Sequence, residues 1–328
     1  MRVLKAGWGH APQDVLALNP IPVNTSRILT RLKCGELDGY VYTDNRVVDW
    51  GDTGEPRALR LGTAWHKALE RLASGDSFQT ISRDYEREEW ALDARGASDL
   101  PLLQNGLEEY ANKYQGDWPT GSILATEVEF WILIDIGVGG TYMNEVHGFV
   151  GQPILYRGRI DRLCSWNGQL VNGEIKTVKA GEKMDEYMAE RAGHLQDAAY
   201  YLAMVHAPNT HGLEPYGTVY DCYLKYTRPK ATSGTDAAQA KLAGKLADWR
   251  EKLFYTHRIA WDQERALAVA GREIKSYLDL EGTRHRNPSA CRTYGSCSHF
   301  DTCHRGLALS SHHYKDRDLD YVDNPGGI

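Results

Sequence analysis

The dipeptide Asn167-Gly168 constrains the fold of this chain more than any other feature, because it predicts a β-hairpin with a two-residue turn. Both residue types tolerate the positive φ angles that a type I′ turn requires. The flanking segments, residues 157–166 and 169–176, then become antiparallel strands. The turn therefore predicts which residues of the two strands face each other.

The register of this hairpin brings two carboxylates together. If Trp166 pairs with Gln169, Asp161 lies opposite Glu174, and strand alternation puts Lys176 on the same face as Glu174. Opposed like charges destabilise a sheet unless a positive charge lies between them. A Mg²⁺ ion held by carboxylates, with a lysine beside it, is typical of a site that hydrolyses phosphodiesters. The alternative is an exposed hairpin with solvated charges.

The composition indicates a globular protein with a large core. The chain has 328 residues, of which 42% are hydrophobic and 25% are charged, and no apolar run is long enough to span a membrane. The N-terminus lacks the apolar segment of a secretory signal, so we expect a cytoplasmic protein. The net charge of -6 argues against a strongly basic surface. Residues 157–179 nevertheless contain five Lys or Arg and only two acids.

Hydrophobic periodicity predicts a mixed α/β protein with helices and strands in the order αβββαβ. We expect residues 1–23 to form an irregular arm. Helices are predicted at residues 24–33, from Leu59 onward, and at 77–92, 100–114, 182–206, 234–256 and 260–279; strands are predicted from Ser122 onward, in the hairpin, and at 216–227. A single domain spanning residues 1–328 is expected, divided into an N-terminal helical part (24–120), a sheet core (121–230), C-terminal helices with cysteines (231–310) and a tail (311–328).

Several polar residues outside the hairpin are candidates for the same site. His66 lies beside the apolar stripe of its helix, where it is either a site residue or a core-edge histidine. Glu127 and Glu129 share one face of a strand, as extra acids of the site or as a solvated face. Gln196 and Tyr200 lie one helical turn apart and could orient a phosphate or a base together.

The cysteines indicate a second metal centre near the C-terminus. Cys291, Cys297 and Cys303 lie within thirteen residues at equal spacings of six, which favours metal ligation in a reducing compartment. The candidates for a fourth ligand are Cys34, His299 and His304. Zinc and a [4Fe-4S] cluster both remain open on spacing alone. Cys164 and Cys222 fall in predicted strands, where we expect buried thiols.

Four short motifs resemble those of the PD-(D/E)XK nuclease superfamily, in particular its RecB-like branch, which includes AddB and the CRISPR-associated iron-sulfur exonucleases. These motifs are GTAWH at 62–66, GRID at 158–161, EIK at 174–176 and QDAAY at 196–200. The resemblance covers residues 24 to 305, and one early cysteine followed by three late ones favours [4Fe-4S] over zinc. Two features depart from the pattern: Ile160 replaces the proline before Asp161, and the late cysteines are more widely spaced.

The resemblance implies a restriction-endonuclease-like core and a role for each matching residue. His66, Asp161, Glu174 and the Ile175 carbonyl would bind Mg²⁺ or Mn²⁺. Lys176 would position the attacking water, and Gln196 and Tyr200 would brace the site or the DNA. The cluster ligands would be Cys34, Cys291, Cys297 and Cys303, and the candidate phosphate contacts are Arg157 and Arg159.

The activity implied is hydrolysis of DNA, by an exonuclease or an endonuclease of repair, recombination or phage replication, with the exonuclease favoured. Its partners would be single-stranded DNA or duplex ends, together with a helicase or an annealing protein. Two other functions remain as alternatives: a catalytically silent nucleic-acid-binding subunit, and a redox protein centred on the cysteines.

Overall fold

The computed structural model describes residues 1–33, 46–48, 57–87, 94–114, 118–136, 153–230, 236–280 and 314–316. Its helices are α1 Gln13–Leu16, α2 Thr25–Lys33, α3 Arg57–Ala73, α4 Phe78–Arg87, α5 Ala94–Tyr114, α6 Met184–Arg191, α7 Leu195–His206, α8 Asp236–Lys252 and α9 Gln263–Asp279. Its strands are β1 Arg2–Trp8, β2 Ile21–Val23, β3 Arg46–Val48, β4 Ser122–Asp135, β5 Ile154–Trp166, β6 Gln169–Val178, β7 Glu214–Leu224, β8 Phe254–Ala260 and β9 Tyr314–Asp316.

A mixed seven-stranded sheet forms the centre of the described part of the chain. Its strand order is β1-β4-β5-β6-β7-β8, and β2 pairs with β5. The β6–β7 and β2–β5 pairs are parallel, whereas the other pairs are antiparallel. β3 and β9 form a separate two-stranded sheet. The predicted mixed α/β class and the αβββαβ order from α3 to β7 are confirmed.

Helices cover both faces of the sheet and bury two apolar clusters. On one face, α2, α7 and α9 pack through residues such as Ile28, Leu202 and Ile274. On the other face, the α3–α5 layer packs against the sheet through Trp65 and Ile175, among others. Burial of these apolar side chains is the main favourable term that holds the layers together. The hairpin strands β5 and β6 therefore lie between two helical layers.

Helix α3 forms because its apolar residues recur at helical spacing and are buried on one side. Leu61, Trp65 and Leu69 are at most 2% exposed. The Trp65 ring stacks on Tyr223 of β7, with 4.2 Å between ring centroids. This stripe was predicted from the sequence, and its packing fixes the rotation of α3 against the sheet.

The predicted hairpin turn is confirmed, since Asn167 and Gly168 have φ angles of 49° and 75°. The ladder runs from Trp166–Gln169 to Arg162–Gly173 in the expected register. It ends there, one pair before Asp161 and Glu174. The expectation that these two acids pair directly in the ladder is therefore wrong.

Three predictions for secondary structure away from the hairpin are corrected. Residues 1–23 do not form an irregular arm, because β1 pairs with β4 and β2 pairs with β5. The helix expected at 182–206 is two helices, α6 and α7, separated by a turn at residues 192–194. The stretch from Phe254 to Ala260 is strand β8, which pairs with β7. The two errors that concern strands arise from pairing between segments that are not adjacent in the chain, which local periodicity does not report.

None of the helices described here is both long enough and apolar enough to cross a membrane.

Candidate active site

His66 projects from α3 toward the end of the β5–β6 ladder. Its Nδ1 lies 3.0 Å from the carbonyl oxygen of Gly62, one turn earlier in the helix, so Nδ1–H donates to that carbonyl. This contact orients the ring and leaves Nε2 directed at the sheet. Nε2 lies 3.2 Å from Asp161 Oδ2 and 3.1 Å from the Ile175 carbonyl oxygen. The structure thus brings His66 together with Asp161 and the main chain of β6.

Asp161 lies where the two hairpin strands cease to pair. Its Oδ2 accepts a hydrogen bond from the Ile175 main-chain N–H at 3.1 Å. The carboxylate thereby takes a position next to the main chain of β6 and stays 22% exposed. Ile175 itself turns its side chain into the apolar cluster beneath α3. Its carbonyl, in contrast, faces His66.

The proximity of Asp161 changes the protonation of His66. Burial disfavours the charged imidazolium, but the negative charge of Asp161 and the hydrogen bond to it outweigh burial and raise the pKa of His66 to about 9. Burial alone would raise the pKa of Asp161, yet the charge of His66 and its hydrogen bond lower it to about 2. At neutral pH the metal-free pair is therefore an imidazolium beside a carboxylate.

Glu174 and Lys176 form an ion pair on the face of β6 opposite the Ile175 side chain. Glu174 is 1% exposed, whereas the Lys176 side chain is 25% exposed. Burial raises the pKa of Glu174 in spite of the neighbouring lysine. Burial would lower the pKa of Lys176, but the charges of Glu174 and Asp161 outweigh burial and raise this pKa above its ordinary range. Lys176 therefore stays charged and partly accessible to solvent.

Gln196 and Tyr200 connect the two hairpin strands through α7. Gln196 Nε2 donates to Glu174 Oε1 at 3.1 Å and to the Tyr200 hydroxyl at 2.7 Å. The Tyr200 hydroxyl donates to the Arg159 carbonyl oxygen on β5 at 2.7 Å. The expectation that the two residues share a helix face is confirmed. Their contacts hold Glu174 in place relative to the strand that carries Asp161.

Glu127 lies on the other side of Asp161, on β4. The ladder pairs before and after it place Glu127 opposite Asp161, and it has an unusual φ of 51°. It forms an ion pair with Arg159 at 2.6 Å. Burial, together with a hydrogen bond to the Glu70 carboxyl group, raises the pKa of Glu127 to about 8. The structure therefore brings Glu127 to the edge of the site.

Glu129 and Arg157 lie in a cleft beside the end of β1. Glu129 Oε2 is 3.3 Å from His10 Nδ1. Arg157 lines a shallow cleft with these two residues. The two candidates thus share a cleft near the N-terminal strand, and Glu129 pairs with His10 there rather than joining Asp161.

Sequence reasoning missed a buried charged pair behind the site. Arg162 of β5 and Asp221 of β7 are at most 1% exposed, and Arg162 Nη1 lies 3.8 Å from Asp221 Oδ2. Arg162 reaches Asp221 across β6 at Gly173, where a Cβ would lie 3.2 Å from Arg162 Cβ and 3.1 Å from Thr120. The available signal was the pairing of a glycine with an arginine in the predicted hairpin register. This pairing indicates that the arginine side chain crosses β6 only once β7 is known to be the neighbouring strand.

The donor atoms at the site suit a hard divalent cation. Among the residues that the structure describes, no three His, Cys, Asp or Glu side chains are grouped to hold a metal ion. The convergent atoms are instead two side-chain atoms and one carbonyl, from His66, Asp161 and Ile175. Glu174 Oε2 is buried and has no hydrogen-bond partner within the described ranges. Oxygen-rich sets with retained waters fit Mg²⁺, and one imidazole nitrogen is compatible with Mn²⁺.

The cysteines divide into two groups. Cys164 and Cys222 are free and buried, as expected. Cys34, Cys291, Cys297 and Cys303 lie outside the described residues, as do the alternative ligands His299 and His304.

Comparison with protein families gives the class of this protein. Residues 38–304 match the model of the PD-(D/E)XK nuclease superfamily, and the chain belongs to that superfamily. Its mixed sheet with flanking helices is consistent with the restriction-endonuclease-like fold. A search of curated proteins found no match.

Proposed function

We propose that this protein is a metal-dependent DNA exonuclease of the RecB-like branch that uses Mg²⁺ or Mn²⁺. One observation carries the proposal: His66 Nε2 lies within 3.2 Å of both Asp161 Oδ2 and the Ile175 carbonyl oxygen. A charged lysine lies directly beside this group, paired with Glu174. Membership of the superfamily supports hydrolysis of phosphodiester bonds as the reaction.

In this proposal, four groups hold the metal ion: His66 Nε2, Asp161, the Ile175 carbonyl and Glu174. Glu174 would contribute through Oε2, the oxygen that has no partner in the described part of the chain. The bound ion would supply a Lewis acid for the phosphate and a more acidic water. Binding requires His66 to give up the proton on Nε2, because a metal ligand must offer a lone pair.

Lys176 positions the attacking water and stabilises the charge that develops on the phosphate. Its ammonium group stays protonated, since its pKa is raised, and so it acts as a donor and a positive charge rather than as a base. Gln196 and Tyr200 hold Glu174 in position relative to β5. Geometry of this kind matters because a small misplacement of reacting groups costs a large part of the rate.

DNA is the proposed substrate, as single strands or duplex ends, in repair, recombination or phage replication. Arg159 lies beside the site through its pair with Glu127 and is proposed as a phosphate contact. Arg157, in the cleft with Glu129, would contact the DNA strand at a point farther from the metal site. A helicase or an annealing protein is the proposed partner.

The test is cleavage of end-labelled single-stranded and duplex DNA in Mg²⁺ and in Mn²⁺. We expect stepwise shortening from the ends, and expect Lys176→Met to lower the rate at least about a hundredfold because charge stabilisation is lost. Lys179→Met is the matched control, since Lys179 lies exposed three residues farther along the chain. Binding of DNA without any cleavage by the unaltered protein would instead indicate the catalytically silent subunit.

A [4Fe-4S] cluster on Cys34, Cys291, Cys297 and Cys303 is the second part of the proposal, with structural zinc as the alternative. The test is the iron, sulfide and zinc content of protein purified without oxygen, together with its visible absorbance. Iron and sulfide at four atoms per chain would support the cluster. One zinc per chain in colourless protein would contradict it.

A further inference from the structure

The turn between α6 and α7 brings two side chains to the site that the proposed mechanism does not use. Arg191 is the last residue of α6, and His194 is the N-cap of α7. The His194 main-chain N–H donates to the Arg191 carbonyl oxygen at 2.9 Å, which closes the turn. Two residues later, the Gln196 side chain contacts Glu174. The turn is therefore fixed to the site by α7.

Arg191 carries a positive charge that no nearby carboxylate neutralises directly. Its Nη2 donates to the Tyr187 hydroxyl at 3.2 Å, and the guanidinium lies over the Tyr187 ring, 5.1 Å from its centroid. No carboxylate of the described residues lies within ion-pair distance of it. A guanidinium has five N–H donors, so this contact leaves most of them available to a ligand. The tyrosine thus orients Arg191 without neutralising it.

His194 adds a neutral donor next to this charge. Its Nδ1 accepts the Gln196 main-chain N–H at 3.3 Å, which places the ring proton on Nε2. Burial and the positive charges of Arg191 and Lys176 lower the pKa of His194 to about 4, so the ring is neutral at neutral pH. Within the described ranges, Nε2 has no hydrogen-bond partner. Its N–H is therefore available to an acceptor.

Gln196 links this turn to Lys176, because its side chain donates to Glu174 Oε1, which also pairs with Lys176. Lys176, Arg191 and His194 thus form one group of donors where α7 begins, and we call it the α7 donor group. Within this group Lys176 pairs with Glu174, whereas the Arg191 guanidinium and the His194 Nε2–H make no ion pair with a carboxylate of the described residues. A guanidinium and a neutral N–H with unused donor capacity suit an anion with several acceptor oxygens.

We propose that Arg191 and His194 bind the DNA phosphate next to the one that is cleaved, on the α7 side of Lys176. This inference rests on the proposed function, because it assumes that the scissile phosphate lies at Lys176. Arg191 would supply the charge-assisted contact, and His194 would add a neutral hydrogen bond. Both would be positioning residues for the substrate strand.

The first experiment measures binding of a fluorescent single-stranded oligonucleotide in EDTA over a range of NaCl concentrations. The slope of log Kd against log [NaCl] depends on the number of phosphates that the protein neutralises. For a single strand, the slope is smaller by about 0.7 when one phosphate contact is lost. We expect Arg191→Ala to show this change and to raise Kd on the order of tenfold at low salt. Arg191→Lys should keep the slope, since it keeps the charge.

The second experiment separates the neutral donor from the charge. His194→Asn keeps a residue that caps helices well but removes the imidazole N–H. We expect a higher Kd with an unchanged salt slope, since no charge is lost. The matched control is Arg272→Ala on the outer part of α9, where the arginine is 65% exposed and pairs with Glu273. Urea denaturation verifies that each variant is as stable as the unaltered protein.

The outcomes distinguish this inference from the proposed function. If the unaltered protein cleaves DNA while Arg191→Ala and Arg272→Ala show the same slope and Kd, the phosphate site is wrong and the nuclease assignment stands. If the unaltered protein binds DNA without cleaving it and Arg191→Ala lowers the slope, Arg191 still contacts a DNA phosphate, but the nuclease assignment fails. If the unaltered protein does not bind DNA, both are wrong.

Discussion

Arg162 and Asp221 form a buried ion pair that joins β5 to β7 across β6, with 3.8 Å between Nη1 and Oδ2. The pair crosses at Gly173, directly before Glu174 in sequence. The Tyr110 hydroxyl donates a hydrogen bond to the same carboxylate from α5. The strands on either side of β6, which carries Glu174, are thus tied together by charge on the face opposite the Glu174–Lys176 pair.

We expect Arg162→Met to lower the free energy of unfolding by about 3–5 kcal/mol, because Asp221 would remain buried without its partner. The double variant Arg162→Met, Asp221→Asn removes both charges and keeps an acceptor for Tyr110. Replacing both members of a buried pair costs far less than removing one, so most of the loss should be recovered. Urea denaturation measures both values. Equal losses in the single and double variants would contradict a role for the charge pair.

The sequence predicts the parts of this region that depend on local chemistry. The Asn167-Gly168 turn sets the ladder register, and the apolar spacing around Trp65 sets the rotation of α3, because each is decided by residues close together in the chain. The contact between Gln196 and Tyr200 likewise follows from helical spacing.

The remaining features depend on which distant segments become neighbours. His66 and Asp161 are 95 residues apart, and Arg162 and Asp221 meet only because β7 lies beside β6. The register itself extends only to Arg162–Gly173, since the Asp161 carboxylate accepts the Ile175 N–H at the next position. The alternation of side chains along a hairpin does not predict that a carboxylate, here that of Asp161, will accept a main-chain N–H at the point where the ladder ends.

We expect His66→Gln to weaken Mn²⁺ binding by about tenfold or more, since losses of this size follow even from changes around a metal ligand. Isothermal titration with Mn²⁺ measures this directly, and Lys67→Gln, at the next and exposed position of α3, is the matched control.

The pH dependence of Mn²⁺ binding tests the same residue. Because the pKa of His66 is raised to about 9, the metal must displace a proton at neutral pH. The Kd for Mn²⁺ should therefore fall as pH rises from 7 to 9 in the unaltered protein, and much less in His66→Gln. The same Kd and pH dependence in both proteins would exclude His66 as a ligand.

The buried carboxyl group of Asp197 predicts a particular dependence of stability on pH. Burial raises its pKa to about 7, although Tyr220 and Thr218 donate hydrogen bonds to it. The folded protein therefore binds this proton more tightly than the unfolded chain. The resulting stabilisation is complete below about pH 4 and is lost as pH rises to about 7.

The variant Asp197→Asn removes this titration and keeps an acceptor for the Tyr220 hydroxyl. We expect its free energy of unfolding, relative to the unaltered protein, to rise by roughly 2–4 kcal/mol between pH 4 and pH 7.5. Urea denaturation at several pH values measures the difference, which cancels the titration of other groups. A difference that does not change with pH would show that the pKa of Asp197 is the same in the folded and the unfolded protein.

Tyr200→Phe tests whether the brace through α7 positions the site or only stabilises the fold. The change leaves the Arg159 carbonyl without its donor and Gln196 Nε2 without one acceptor, which should cost about 1–2 kcal/mol of stability. If the brace holds Glu174, kcat should fall on the order of tenfold with KM nearly unchanged, because this hydroxyl is buried and bonds to Gln196 and the Arg159 carbonyl. Tyr201→Phe is the matched control, since Tyr201 is its neighbour on α7 and is also buried. A stability loss with an unaltered kcat would assign Tyr200 to the fold alone.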